Sequence, residues 1–365
     1  MAPSGPRMLA WDIPSLCRNT IGGGRALGRL RPSTCYAASG GSISNRMRIF
    51  IYECVSAGGL GPIVPPSLLR EGRAMLDAVV ADFRRLPGIE VVTIPDETLC
   101  DAFSTAAARC DWTLVIAPEV DGLLRSRCQA VLDAGGRLLG SQPGAIGLTA
   151  DKLATAEFWQ ERGVPHPRTQ ALDATHIASF PPPWVMKPRC GAGSQATFLI
   201  RHQDDAMRVW APAFQECPDE EFIVQQYVRG QAASVSLLIG AKQTLALMPT
   251  RQHLSHDSRF RYLGGSLPLP ESLANRAARL VLQAVAGIDG LHGYVGVDLI
   301  LGDDGLDFAI EINPRLTTSY IGLRQLCREN IAEVMLKIVQ GETVQTLTWA
   351  AKEVRFGIPA FEPIP

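Results

Sequence analysis

The sequence predicts an α/β chain in two parts: a doubly wound parallel sheet, then an α+β half built from hairpins and helices. Three observations predict it. Strand-like apolar runs alternate with helix-like segments from residue 47 to 141; beyond residue 184 the runs come in pairs; and polar residues suited to anions and metals gather where those pairs end. Alternation marks parallel sheets, and paired runs mark antiparallel ones.

At 365 residues the chain is long enough for two or three subdomains. A net charge of −1, with 46% hydrophobic and 19% charged residues, gives no global electrostatic case for nucleic acid or a membrane surface. Any anion site must be built locally. The nine cysteines show no CxxC spacing, and the histidines complete no ligand cluster. They read as reduced thiols, which points to the cytoplasm. No stretch is apolar for long enough to span a bilayer. Residues 1–46 set Arg7, Arg18, Arg25, Arg29, Arg31 and Arg46 against a single acid, Asp12, in a Gly-, Ser- and Pro-rich run without a period. They read as a disordered or unused extension, although a targeting peptide shares this composition.

The first strand opens MRIFIYECVSAGG (47–59) and ends in a Gly-rich turn. SLLREGRAMLDAVVADFRRL (67–86) spaces its apolar residues at three and four, as an amphipathic helix does. IEVVTIPD (89–96) and TLVIAPE (113–119) read as strands, GLLRSRCQAVLDAGG (122–136) as a helix stopped by glycines, and RLLGS (137–141) as a last strand. Ligands of such sheets sit beyond the carboxyl ends of the strands, where Tyr52, Glu53, Ser56, Gly58 and Gly59 fall; a plain turn accounts for these residues equally well. Thr149 is placed to cap the next helix, which ends at Gly163. WVMKPRCGAGSQATFLI (184–200) reads as two strands around a Gly-rich loop, and EEFIVQQYVRGQAASVSLLIG (220–240) as two strands around a linker. ESLANRAARLVLQAVAGI (271–288) and IGLRQLCRENIAEVMLKIVQGE (321–342) read as helices.

The chemistry concentrates between those helices. An apolar hairpin, GYVGVDLILGDDGLDFAI, ends in Glu311, Asn313 and Arg315 at every second position. Strand alternation puts Ala309, Glu311 and Asn313 on one face and Phe308, Ile310 and Ile312 on the other. With the turn centred on Asp303-Asp304, Asp298 stands opposite Ala309 and diagonal to Glu311. Two carboxylates and an amide oxygen are hard ligands suited to Mg2+, which keeps waters and bridges phosphates. Arg315 offers a planar fork to a phosphoryl or carboxylate group. Lys187, inside the buried-looking WVMKP, needs an anion. The loop CGAGSQ after it can bring backbone N–H groups against phosphates. Lys152, at a helix start, is a second candidate cation.

Lys152, Lys187 with GAGS, the strand and linker IVQQYVRG, Asp298, and the ExNxR of Glu311, Asn313 and Arg315 follow one order and spacing, and in this the chain resembles the ATP-grasp ligases from about residue 47 to 342. The resemblance implies an ATP-grasp fold in which two α+β subdomains (148–228 and 229–345) clamp ATP. A Rossmann-like pre-ATP-grasp domain (47–147) would precede them and a tail (346–365) would follow. It implies an ATP-dependent carbon–nitrogen ligase that phosphorylates a carboxylate and lets an amine displace the phosphate. The cofactors would be ATP and Mg2+, with Mn2+ as a substitute; the partners would be small-molecule carboxylate and amine substrates, with a homodimer left open.

By the same resemblance, Lys152, Lys187, Gly191, Gly193 and Ser194 hold nucleotide phosphates, and Gln225, Gln226, Tyr227 and Val228 form the adenine linker. Asp298, Glu311 and Asn313 hold metal, and Arg315 with Lys187 stabilises the transferring charge. Two departures stand out: GQAASV after the linker lacks an acid for the ribose, and Gln226 stands where a Glu is common. YECVSAGG, REGRAMLDAVVADF and EINPRLTTSYIGL are similar to the subgroup of tyramine–glutamate ligases of methanofuran synthesis. That likeness implies glutamate joined to a tyramine- or tyrosine-like amine in one-carbon (methanofuran- or methanopterin-type) cofactor synthesis. In it, Arg251, Gln252, Gly264 and Gly265, with Thr317, Thr318 and Ser319, are candidate substrate contacts, and turn geometry explains them as well. His253 and His256 read as exposed loop residues. A non-catalytic nucleotide-binding protein and a small-molecule kinase are the competing classes.

Overall fold

β1 (Met47–Glu53), β2 (Ile89–Val92) and β3 (Trp112–Ile116) form a parallel sheet in the order β2-β1-β3. The structure is a computed structural model that describes residues 46–61, 64–95, 102–173 and 177–357; the expected extension lies, but for Arg46, outside them. β1 is apolar from Ile49 to Tyr52 because it is central and covered on both faces. Ile49 and Ile51 pack with Met75, Val79 and Phe83 of α1 (Pro66–Arg84). Phe50 and Tyr52 pack with Phe103 of α2 (Ala102–Arg109) and with Leu124 and Val131 of α3 (Leu123–Asp133). The expected strand 137–141 reduces to one parallel bridge, Thr113 with Leu138, because the chain leaves directly for α4 (Pro143–Ala150).

The cap of α5 (Lys152–Glu161) is Asp151, whose carboxylate accepts from the N–H groups of Leu153 and Ala154. Thr149, expected in that role, donates its hydroxyl to Ala145 O inside α4 instead. An acid at this position also meets the positive end of the helix dipole. A second, antiparallel sheet follows in the order β4-β7-β5-β6, from β4 (Thr169–Ala171), β5 (Trp184–Pro188), β6 (Phe198–Ile200) and β7 (Phe222–Gln226). α6 (Ala206–Glu216) closes its core of Trp184, Met186, Phe198, Ile200, Phe222 and Val224.

The third sheet is antiparallel and carries the chemistry. Its strands are β8 (Gly230–Ile239), β9 (Thr244–Ala246), β10 (Thr250–Leu254), β11 (Tyr262–Leu267), β12 (Gly293–Gly302), β13 (Asp307–Asn313) and β14 (Val354–Phe356). They run in the order β13-β12-β8-β10-β11-β14, with β9 on β8. Val235, Leu237, Val295 and Val297 face α7 (Glu271–Val285), while Leu238 and Tyr294 face α8 (Ser319–Leu326) and α9 (Ile331–Val339). The single helix expected over 321–342 is therefore two. Asn330 starts the second by accepting from the N–H groups of Ala332 and Glu333. The expected tail contributes β14, which pairs with β11.

Candidate active site

The metal end depends on a one-residue irregularity. The β12–β13 turn pairs Leu301 with Asp307 and Leu299 with Ala309; Ile310 then drops out of the ladder as a β-bulge. Beyond it Asp298 stands directly opposite Glu311, and Gly296 opposite Asn313. This corrects the expected register, in which Asp298 faced Ala309. It also separates Ala309 from Glu311: Ala309 and Ile312 are buried with Val297 and Leu299 under α7. The extra residue turns Glu311 to the other face.

Two facing carboxylates cannot both stay ionised cheaply. Burial, and the charge of Glu311, push the Asp298 carboxyl up to about 7. Burial acts on Glu311 too, but Lys152 and Lys187 outweigh it and hold that carboxyl below the usual range. Gln252 Nε2 donates to Asp298 Oδ1 at 3.0 Å, and Asn313 Nδ2 to Oδ2 at 3.3 Å. No group of three or more His, Cys, Asp or Glu side chains suited to a metal occurs among the described residues. The oxygen donors that are present fit a cation in the manner of Mg2+: the Asp298 and Glu311 carboxylates and the Asn313 amide oxygen, with remaining positions left to water and phosphate.

The cationic side comes from the second sheet and α5. Lys187 lies on β5 and is 7% exposed. Burial lowers its ammonium pKa to about 8, with Lys152 adding to the effect and Glu311 and Asp298 opposing it. Lys152, the first residue of α5, donates from Nζ to Gly191 O at 2.8 Å and so ties the helix start to the Gly-rich loop. In that loop Gly191 (φ 148°), Gly193 (φ 71°) and Ser194 (φ 60°) adopt conformations that favour glycine, and Ser194 Oγ donates to Phe260 O at 2.8 Å. The β10–β11 hairpin thus reaches back over the loop.

The linker is shorter than expected. Gln225 is a buried strand residue whose Nε2 donates to Thr169 Oγ1. The N–H groups of Gln226 and Tyr227 are spent on Arg168 O and Pro183 O. The irregular span begins at Tyr227, whose ring stacks with Phe260 at 6.0 Å, and continues through Val228.

The candidate substrate residues divide. Arg251 and Gln252 sit on β10, and Gln252 belongs to the metal end through Asp298. Thr317 Oγ1 lies 3.4 Å from Tyr294 Oη. The others have packing roles. Gly264 and Gly265 make room for the last strand: a Cβ on either would come within 2.5 Å of Phe356. Ser319 is buried and hydrogen-bonded to Thr250. His253, expected on an exposed loop, is a half-buried β10 residue beside Ser266 Oγ.

Arg315 meets a partner that sequence reasoning missed. Its Nε and Nη2 donate to Glu119 Oε1 and Oε2 at 2.9 and 2.8 Å, with Arg315 15% and Glu119 5% exposed. Glu119 comes from the parallel sheet, three residues past β3. Glu71 of α1 is close by: burial raises its carboxyl pKa, Arg315 pulls it down, and Glu53 pushes it up. The usable signal was the sequence VIAPE, an acid just beyond the carboxyl end of a parallel strand.

Two family models match in tandem. Residues 74–146 match the pre ATP-grasp 3 domain and residues 149–319 match the ATP-grasp domain. The chain is an ATP-grasp protein with a pre-ATP-grasp domain in front of the ATP-grasp domain. Among curated proteins it is similar to the tyramine–L-glutamate ligase of Methanocaldococcus jannaschii, 26% identical over 319 residues, covering 81% of this chain and 91% of the relative. It is also similar to the enzyme of the same name from Methanocaldococcus fervens, 28% identical over 266 residues, covering 72% and 78%. Among solved structures it superposes on an ATP-grasp superfamily protein from Archaeoglobus fulgidus with a TM-score of 0.64, 24% identity, and 82% and 90% coverage. The biotin carboxylase domain of Hydrogenobacter thermophilus 2-oxoglutarate carboxylase, solved with MgADP and bicarbonate, gives 0.65 at 15% identity, covering 83% and 72%. These last two likenesses concern the fold. Among the described residues no helix is long and apolar enough to cross a membrane.

Proposed function

We propose that the chain is an ATP-dependent, ADP-forming carbon–nitrogen ligase that activates a small carboxylate as an acylphosphate and passes the acyl group to an amine. One observation carries the reading: Glu311, paired with Asp298 across the strands, lies within electrostatic reach of Lys152, Lys187 and Arg315 together. Mere nucleotide binding does not need a guanidinium at the metal end as well. In the proposed reaction a substrate carboxylate oxygen attacks the γ-phosphorus, releasing ADP. The amine then attacks the acyl carbon, releasing phosphate and a proton. Lys152, Lys187 and the Gly191–Ser194 loop would hold the phosphates, with the Val228 region against the base. Asp298, Glu311 and Asn313 would hold Mg2+ or Mn2+, which would supply charge neutralisation between phosphate oxygens. Arg315 would stabilise charge on the phosphoryl group in flight. By likeness to the tyramine–L-glutamate ligases, the carboxylate is that of glutamate and the amine is tyramine or a tyrosine-like amine, in one-carbon cofactor synthesis. The setting we propose is the cytoplasm, and every group named comes from one chain.

The test is ADP release from MgATP with L-glutamate and tyramine supplied singly and together. The reading expects sustained turnover only with both, and an amide product by mass spectrometry. A kinase would turn over with one substrate and leave a stable phosphorylated product. Glu311→Gln is expected to abolish turnover in a chain that still folds, and full activity in that variant would sink the metal assignment.

A further inference from the structure

We infer that Glu119 is a positioning residue for Arg315: the pre-ATP-grasp domain reaches into the site and sets the orientation of the guanidinium that meets the phosphoryl group. The inference rests on the ligase reading for the role of Arg315, and on geometry for the role of Glu119.

A guanidinium has five N–H groups in a fixed plane. Arg315 commits two of them, on Nε and Nη2, to the Glu119 carboxylate in a parallel fork. The second Nη2 hydrogen has only Asn313 Oδ1 at 3.5 Å, and Nη1 only Leu316 O at 3.4 Å, both too long to hold the plane. One Nη1 hydrogen has no acceptor among the described residues. Glu119 therefore fixes one edge of the plane, and the opposite edge is left for a ligand oxygen.

The anchor itself is stiff. Glu119 is followed by a 3-10 turn, Val120–Gly122, in which Asp121 and Gly122 have φ of 51° and 64°, and Leu124 N–H returns to Pro118 O. At 5% exposure its carboxylate would be costly to bury without the guanidinium. Bidentate geometry specifies rotation as well as distance, which a single charge contact does not. A misplacement of about 1 Å at such a group costs about 100-fold in rate.

The experiment is a kinetic double-mutant cycle on the full chain. Glu119→Gln is expected to lower kcat about 100-fold, with the KM for ATP little changed, and Glu119→Asp to recover part of the loss. In an Arg315→Ala background, Glu119→Gln is expected to change kcat no further, because the group it positions is gone. A purely structural Glu119 would instead lower kcat by the same factor in both backgrounds, and that result, or full activity of Glu119→Gln, overturns the inference. A second readout does not need turnover. The Arg315 Nε–H resonance, assigned by its absence in Arg315→Ala, is expected to exchange slowly with solvent in the wild type and rapidly in Glu119→Gln; equal exchange in the two also overturns it. If the wild type fails to turn over with the proposed substrates while the resonance behaves as stated, the substrate reading falls and the positioning stands.

Discussion

Two arginines nine positions apart, Arg315 and Arg324, each cross from the C-terminal half of the chain to a buried carboxylate of the pre-ATP-grasp domain, and they have different surroundings. Arg324 forks onto Asp82 of α1 at 2.8 and 2.6 Å. Asp82 also takes the Tyr320 hydroxyl at 2.7 Å, and its main-chain oxygen takes Asn330 Nδ2. Tyr320, Phe83 and Leu323 pack around this pair in one core. Arg315 forks onto Glu119 with comparable bond lengths, but within its electrostatic reach lie the carboxylates of Glu71 and Glu311 rather than an apolar core. The same pair of functional groups is a fastener where its carboxylate gathers further donors inside an apolar core, and a tool where the guanidinium's free edge faces other charged side chains.

The comparison can be broken from either end. The largest expected effect is Arg315→Ala, which should lower kcat of the folded fraction by about 100- to 1,000-fold and, by leaving the buried Glu119 without its guanidinium, also cost about 3 kcal/mol of stability; a loss of stability without loss of turnover would make Arg315 a second fastener. Arg324→Ala should cost stability alone. It leaves Asp82, 4% exposed, with fewer donors, and should cost about 3 kcal/mol of stability, on the order of 5–10 °C in melting, with kcat of the folded fraction unchanged.

A proton should sharpen the contrast next. The Asp298 carboxyl is raised to about 7, so below that pH a proton competes with the divalent ion for the same oxygen. The apparent Mg2+ affinity should fall by about tenfold per pH unit below 7 and level off above it. A flat profile from pH 6 to 8 would remove Asp298 from the ligand set. The smallest effect should come from Tyr320→Phe, which deletes one hydrogen bond to a charged acceptor: about 1.5 kcal/mol in stability, read by denaturant melts, and no change in kcat.

Sequence alone carried the second half of the chain further than the first. Lys187, Asp298, Glu311 and Asn313 could be picked out because polar residues amid apolar strands are expensive, and Lys152 and Arg315 from their places at a helix start and just past the hairpin; the structure brings both lysines and Arg315 within reach of Glu311. What could not be read was anything that depends on packing between distant segments. Glu119 reaches Arg315 across 196 positions, and no local pattern announces that. Gly264 and Gly265 looked like turn or pocket residues because Phe356, whose main-chain oxygen crowds the first and whose ring crowds the second, is supplied by a strand about ninety residues later. Thr149 lost its capping role to Asp151, two residues further on, where the helix starts. Ile310 in the β12–β13 ladder defeated simple counting because a bulge leaves no mark in a period-two pattern.

That bulge has a consequence for how chains of this kind can vary in length. Counted from the turn alone, Asp298 would sit across from Ile310, and Glu311 would point into the α7 core; the extra residue restores the acid pair. Turn and bulge are each one step out, and only their sum is in phase, as two compensating indels preserve a reading frame. A single insertion in the Asp303–Gly305 turn should therefore be tolerated only in a chain that has also lost the bulge.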